Sequence, residues 1–497
     1  MKDIMKSILL TCFLAFSLLL NAQTKNIFLD RAFWKNNPTI EQVEQKISEG
    51  NSATALNRFG FDAVVYALLE NADEHVIKHL LTKKGNDVNK LTHDGRTYIF
   101  WAAYKNNMPI VKYLLANGAK TDVIDDKGYT ILNFTAVAGI ENPKLYDLLI
   151  ENGADVSKDK TPKGANALLL IVPNLSDFAM VDYFTAKGLD LFSTDNDGNG
   201  AFNYTAQKGN KTMLELLIKK GIPYKSLNKN GGNAMLFATR GSRRGYNSLA
   251  FFKYLESVGI NPNITNKEGI TPLHNLAYSN KDIASFEYFI SKGVDVNQAD
   301  KEGNTALLNA VSRNSLEVIK LLASKTKNIN HTNKSGHSAL TKSLRNKPEI
   351  VGFLLQNKAD VSLVDAKGND LSYHLFNTFN PKDKEAFQQK LNALTTKGLK
   401  VSNAQKDGST LYHLAVEKNS LPMMDFIKKY KFDVNAKNSE GLTALQKAVM
   451  TAKDHQLIKY LIAEGAKKDI KTDFGETLFD LAKENEALKN SDISYLK

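Results

Sequence analysis

Apolar residues along most of this chain fall into pairs of short runs, set apart by polar turns that each carry a glycine. The second run of a pair is the more hydrophobic: VKYLL at 111–115, LYDLLI at 145–150, MLELLI at 213–218, VIKLLA at 318–323 and LIKYLI at 457–462. Leucines at that spacing share one face of a helix and bury it against a neighbour. The run before it opens on threonine at Thr97, Thr130, Thr271, Thr305, Thr410, Thr443 and Thr477. At that position a hydroxyl can take up a free amide of the first helical turn. Leu132, Leu273, Leu307 and Leu445 follow as core residues. A glycine closes many second runs, at Gly118, Gly153, Gly188, Gly221, Gly259, Gly293, Gly398 and Gly465, which is a helix stop signal. The pattern predicts two antiparallel helices per unit.

The turn glycines recur at Gly60, Gly95, Gly128, Gly164, Gly198, Gly231, Gly269, Gly303, Gly336, Gly368, Gly408, Gly441 and Gly475, with spacings that cluster at 33 residues. Thr271-Pro272-Leu273-His274 and the Asp-Val-Asn loops at 87–89 and 295–297 complete the unit. Over roughly residues 51–490 the chain resembles the ankyrin repeat, in a secreted or periplasmic bacterial type. That resemblance implies an all-α fold, an ankyrin-repeat solenoid of about 12–14 helix-pair units. It places divergent capping helices at 23–59, the array at 60–475, and a capping unit with a polar tail at 476–497. It also implies a non-catalytic, cofactor-free scaffold that binds a protein partner. His274 and His413, with Thr271 and Thr410, fill the slot in which the family uses histidine for a structural hydrogen bond between turns.

Several units depart from the pattern. Gly164, Gly198 and Gly231 are followed by Ala-Asn, Asn-Gly and Gly-Asn, and Asp370 replaces threonine after Gly368. Those units are expected to be weaker. Two long spacings mark insertions, one at 239–248 and one at 376–392, the second with a helix-like end. Insertions in such arrays map to loops and often serve binding.

In proteins of this resemblance, partners dock on the concave side, and the position after the histidine slot points there. Here it holds Tyr66, Trp101, Phe134, Leu170, Tyr204 and Phe237, then Asn275, Asn309, Lys342, His374, Leu414 and Lys447. The expected contact surface is the aromatic strip Tyr66, Trp101, Phe134, Tyr204 and Phe237, since exposed rings anchor interfaces. The competing expectation is that these rings pack against neighbouring first helices. The first insertion carries Arg240, Arg243, Arg244 and Tyr246, a set suited to clamping a carboxylate, sulfate or phosphate.

Composition changes the picture in two places. The first 22 residues read as a signal peptide: Lys2 and Lys6 precede the apolar run Ile8 to Leu20, and Ala22 is the residue before the cut. A periplasmic or secreted location follows, with no transmembrane segment after removal of the leader. The single cysteine, Cys12, lies inside that run, so the mature chain has no thiol for disulfide or thiolate chemistry. The formal charge of +12 comes from scattered lysine. It favours an anionic protein, surface or polysaccharide as partner, and no nucleic-acid motif accompanies it.

Catalytic motifs are missing: no HExxH, no GxSxG, no phosphate-cradling loop. His75 and His79 share a helix face without a third ligand, so no metal site is expected. Three other readings remain: an inhibitor or protective partner of a secreted enzyme, a carbohydrate-binding or carbohydrate-active protein with a site spanning repeats, and an envelope spacer.

Overall fold

The computed structural model describes residues 26–242, 245–401 and 404–497. The leader read at 1–22 lies outside the described residues, and so do Arg243 and Arg244. The chain divides into two compact units, one ending at Lys229 and one beginning at Asn230. Helices and turns make up both, and among the described residues β-structure is limited to isolated bridges such as Thr332 with Ser338.

In the first unit, the helices Arg31–Lys35 and Ile40–Ser48 precede five helix pairs, from Ala63–Leu69 with Glu74–Leu81 to Ala201–Lys208 with Lys211–Lys219. The leading helices, with the short turn Ile27–Leu29 before them, close that end with Phe28, Trp34 and Val43, all buried. Trp34 Nε1 donates to the Phe28 carbonyl at 2.9 Å. The second unit holds seven pairs, from Ala234–Ala238 with Leu249–Ser257 to Ala444–Thr451 with Gln456–Ala463, and then Leu478–Glu484. The chain after that helix folds back instead of trailing as a polar tail. Leu488 and Leu496 are buried, and His455 bridges the Tyr495 and Ser491 hydroxyls at 2.7 and 2.8 Å.

One backbone bond recurs from turn to turn. The amide two residues before a turn glycine donates to the carbonyl one residue before the preceding turn glycine. In the first unit these are Asp126 to Asp94, Asn196 to Lys163 and Lys229 to Asp197, each at 2.8 Å. In the second they are Lys267 to Asn230 and Lys301 to Glu268 at 2.8 Å, Lys334 to Glu302 and Ala366 to Ser335 at 2.9 Å, and Ser439 to Asp407 at 2.6 Å. Pro162 occupies the donor position of its turn and has no N–H to give. Gly269 shows why the turn takes glycine: its φ is +77°, and a Cβ there would lie 2.6 Å from the Ala299 carbonyl oxygen of the next turn.

Three units that lack the threonine are capped all the same, whereas the helix Ala201–Lys208 starts on Gly200 without a side-chain cap. Asn166, Asn233 and Asp370 accept from the amides of Leu169, Leu236 and Tyr373 at 2.9, 3.2 and 3.0 Å. Each cap of this kind stabilises its helix by about 1 kcal/mol. Thr97 is the reverse case: its buried hydroxyl has no partner among the described residues.

Between repeats, asparagine amides, buried at Asn314 and half-buried at Asn346, serve the free carbonyls where the preceding first helix ends. Asn314 donates to Ala277 and Asn280, and Asn346 to Val311 and Asn314, at 2.9 to 3.2 Å. The insertion at 376–392 does not project as a binding loop. It extends the second helix of its pair to Lys384–Thr396 and buries Phe387 against Phe376, Phe379 and Phe426 at ring distances of 5.1 to 5.2 Å. Lys390 from that helix replaces the asparagine, with its ammonium on the Leu344 and Asn346 carbonyls at 2.8 and 3.2 Å.

Candidate functional site

The expected aromatic strip is not a row of free rings. Trp101, Phe134 and Phe237 are buried at 5%, 9% and 4% exposure. Tyr66 and Tyr204 are half-buried. In the first unit Trp101 Nε1 donates to the Thr92 hydroxyl at 2.8 Å. The Arg96 guanidinium, paired with Asp125 at 2.7 Å, lies 5.4 Å from the Trp101 ring and 4.3 Å from the Phe134 ring. Phe61 stacks on Tyr66 and on His93. Tyr204 donates to Asp195 at 2.8 Å, and burial, followed by that bond, pushes its phenol well above the ordinary range. The rings turn inward because a cation, a hydroxyl or another ring waits there. That packing leaves little aromatic surface for a partner.

The arginine loop belongs to the second unit. Arg240 is exposed with its guanidinium 4.1 Å from the Phe237 ring centre. Tyr246 reaches the next repeat through the Ser279 hydroxyl at 3.1 Å. Arg240, Tyr246, His274 and Tyr278 border a shallow cleft of about 420 Å³.

His274 and His413 tie turns together. The Thr271 amide donates to His274 Nδ1 at 3.2 Å, and Nε2 donates to the Asn304 carbonyl of the next repeat at 3.0 Å. His413 does the same between Thr410 and Leu442, at 3.1 and 3.0 Å. Gln446 makes the equivalent pair of bonds with Thr443 and Ile470, at 2.8 and 3.0 Å. The two contacts need one acceptor and one donor nitrogen, hence a neutral ring. Burial, ahead of every other influence, holds both imidazoles below their ordinary pKa.

Two further clefts of the second unit lie elsewhere on its first-helix face. One, about 580 Å³, is bordered by Tyr278, Asn309, Arg313, Lys342, Arg345 and the histidines His337 and His374. The other, about 720 Å³, shares those two histidines and runs on past Asp365, Tyr373, Asp407, Glu417 and Lys447. The smaller cleft has no acidic residue in its walls. Arg313 lies over the exposed Tyr278 ring at 5.1 Å and donates to its hydroxyl at 2.5 Å. Lys342 donates to Asn304 Oδ1 at 3.2 Å, and burial lowers its pKa. Among the described residues, none of Arg313, Lys342 and Arg345 has a carboxylate at ion-pair distance.

His337, Asp365 and His374 form the wall between the clefts. His374 Nε2 is 3.1 Å from Asp365 Oδ2, and the His337 and His374 rings meet edge to face at 5.1 Å. Nothing in the spacing of these residues forms a motif, because two adjacent repeats supply them. The only trace in the sequence is a pair of histidines about one repeat apart. In the larger cleft the Ser409 hydroxyl donates to Asp407 at 2.9 Å rather than to a histidine, which does not make an activated nucleophile.

With this geometry in view, the comparisons fit the fold. The family model described as "Ankyrin repeats (3 copies)" matches residues 60–160, 242–333, 273–365 and 383–472, more than half of the chain. The protein belongs to the ankyrin repeat family. It is similar to NF-kappa-B inhibitor delta of Mus musculus, 26% identical over 37% of this chain and 63% of that protein. It is similar to the putative ankyrin repeat protein L271 of Acanthamoeba polyphaga mimivirus, 25% identical over 50% of this chain and 33% of that one. The palmitoyltransferase AKR1 of Saccharomyces cerevisiae is 28% identical over 23% of this chain and 15% of its own length. The chain thus covers less than two thirds of each of these relatives. They are eukaryotic and viral, and lend no support to a bacterial secreted type. Among the described residues, no helix is long and apolar enough to cross a membrane.

The two turn-bridging histidines make stability depend on pH. Their folded pKa lies below the unfolded value of about 6.5. Above that pH both states are neutral. As pH falls through it, the unfolded chain takes up protons that the folded rings resist, so stability is lost on acidification. The nearby charges, Asp300 for His274 and Lys447, Asp407 and Glu440 for His413, are outweighed by burial. Urea unfolding of the double variant His274→Gln, His413→Gln is expected to lie within about 1 kcal/mol of the parent at pH 8, since glutamine makes the same bonds at Gln446. It should lose less stability than the parent between pH 7 and pH 5. An unchanged pH slope would show that these rings do not carry the effect.

Proposed function

We propose that the protein is a non-catalytic binding scaffold that holds an acidic segment of a protein partner on the first-helix face of its second unit. The observation that carries this reading is the cleft bordered by Arg313, Lys342 and Arg345, whose cations have no carboxylate at ion-pair distance among the described residues. Lys342 remains costly to charge while buried, and an incoming carboxylate offsets that cost. Tyr278, Asn309, Ser312 and Thr341 supply the neutral hydrogen-bonding rim that orients a peptide. The relative named as an inhibitor of NF-kappa-B supports a protein as the partner. The position of the cleft, on side chains of successive first helices, suits an extended segment that crosses several repeats.

The test is fluorescence anisotropy with a labelled oligo-glutamate peptide. Binding is expected for the parent, weakening as salt rises because exposed charges are screened. The variant Lys342→Glu, Arg345→Glu should lose more than about tenfold in affinity, as two ion pairs of roughly 1 kcal/mol each become repulsions. Equal binding by the variant, or equal binding of an oligo-lysine peptide, would refute the reading.

We also propose that the scaffold works outside the cytoplasm. The support is the sequence of residues 1–22, with Lys2, Lys6 and the apolar Ile8 to Leu20 run. N-terminal sequencing of the protein from its native cells should begin at Gln23. A mature chain that retains Met1 or Lys2 would contradict it.

A further inference from the structure

We propose that His337, Asp365 and His374 form a site for one divalent transition cation of the Zn²⁺ class. Each offers a ligand atom, and the three atoms lie within 4.8 Å of one another. Zinc bonds to nitrogen and oxygen of about 2.0–2.1 Å in a tetrahedron set its ligands about 3.3 Å apart. The 3.1 Å between His374 Nε2 and Asp365 Oδ2 is already close to that edge. His337 has the remaining distance to close, and it is the ligand best able to do so. Its side chain stands half-exposed just after Gly336, and among the described residues its ring has no hydrogen-bond partner to give up.

The other two ligands are held from behind. Asp365 Oδ1 accepts from the Lys367 and Asn369 amides at 2.8 Å each, and the Asn369 side chain donates to Oδ2 at 3.0 Å. Such outer contacts fix the direction of a ligating carboxylate. Asp365 and His374 are 7% and 16% exposed, so two of the three donors are largely withdrawn from water while the clefts on either side leave room for a fourth ligand. Two imidazoles with one carboxylate favour zinc, cobalt, nickel or copper over calcium and magnesium, which take oxygen.

Lys342 and Arg345 share the smaller cleft with both histidines. Their charge weakens the hold on a bare dication and strengthens it for one whose open position carries an anion. The site stands apart from the peptide reading: its ligands differ from the cations that reading uses, and its test contains no peptide.

The experiment titrates Co²⁺ into the untagged full-length chain after chelator treatment, following visible absorption, then displaces it with Zn²⁺. One equivalent should bind, with the intense d–d absorption of a low-coordinate site that zinc abolishes. His337→Gln and His374→Gln should each weaken binding at least about tenfold. His79→Gln, whose ring pairs with Glu44 in the first unit, should leave it unchanged. Circular dichroism checks folding. If His374→Gln does not fold, His337→Gln decides alone, because the His337 ring makes no hydrogen bond among the described residues. No cobalt absorption in the parent, parent-like affinity in His337→Gln, or loss in His79→Gln would overturn the proposal.

Discussion

A backbone hydrogen bond that passes from one turn to the next at most steps of the array sets the geometry on which the remaining features rest. It joins residues some 30 to 40 positions apart at a fixed place in eight of the turns, as in Lys267 to Asn230 or Ala366 to Ser335. A bond of this kind is worth only about 1 kcal/mol by itself. Its weight lies in repetition, since nearest-neighbour terms add along a stack. It also explains the turn glycines. A Cβ at Gly336 would meet the Ala366 amide nitrogen at 2.5 Å, so the close approach that makes the bond is the approach a side chain would block. Pro162 marks the cost of omitting it: the ring leaves that turn without a donor and packs onto Gly128.

Once the turns are fixed, the backbone ends of the first helices have to be satisfied between units. Asparagine does this at Asn314 and Asn346, and Lys390 does it where an insertion has lengthened the next helix. The histidines at 274 and 413 belong to the same economy, since each uses both ring nitrogens on backbone groups of adjacent turns. Histidines 337 and 374 do not. They stand clear of the backbone ladder, beside Asp365 and cations that have no carboxylate at ion-pair distance among the described residues.

Much of the fold was legible in the residues. Glycine spacing marks the turns, the leucine runs mark the second helices, and Thr130, Thr305 and Thr443 mark helix starts that the structure caps at 3.2 to 3.4 Å. Asn166, Asn233 and Asp370 looked like defects because they break the threonine pattern, yet an asparagine or aspartate oxygen caps equally well. The helix-like end of the insertion at 376–392 is the helix Lys384–Thr396, but in place of a binding loop Phe376, Phe379 and Phe387 give it an apolar face that finds Phe426. The candidate site was much less legible. Side-chain direction is settled by neighbours in the next unit, and Trp101 turns inward because Thr92 and Arg96 receive it. The His337, Asp365 and His374 group has no local signature, since its members come together only when one repeat is stacked on the next.

Amide hydrogen exchange by NMR on the full-length chain tests the stacked-turn framework most directly. The amides of Lys267, Lys301, Lys334 and Ala366 sit in polar turns where an unbonded N–H exchanges at the rate of an open loop. If each is tied to the preceding turn, they will exchange slowly, together with the helices of their own repeats. Free exchange at these four positions, alongside protected helices, would contradict the account.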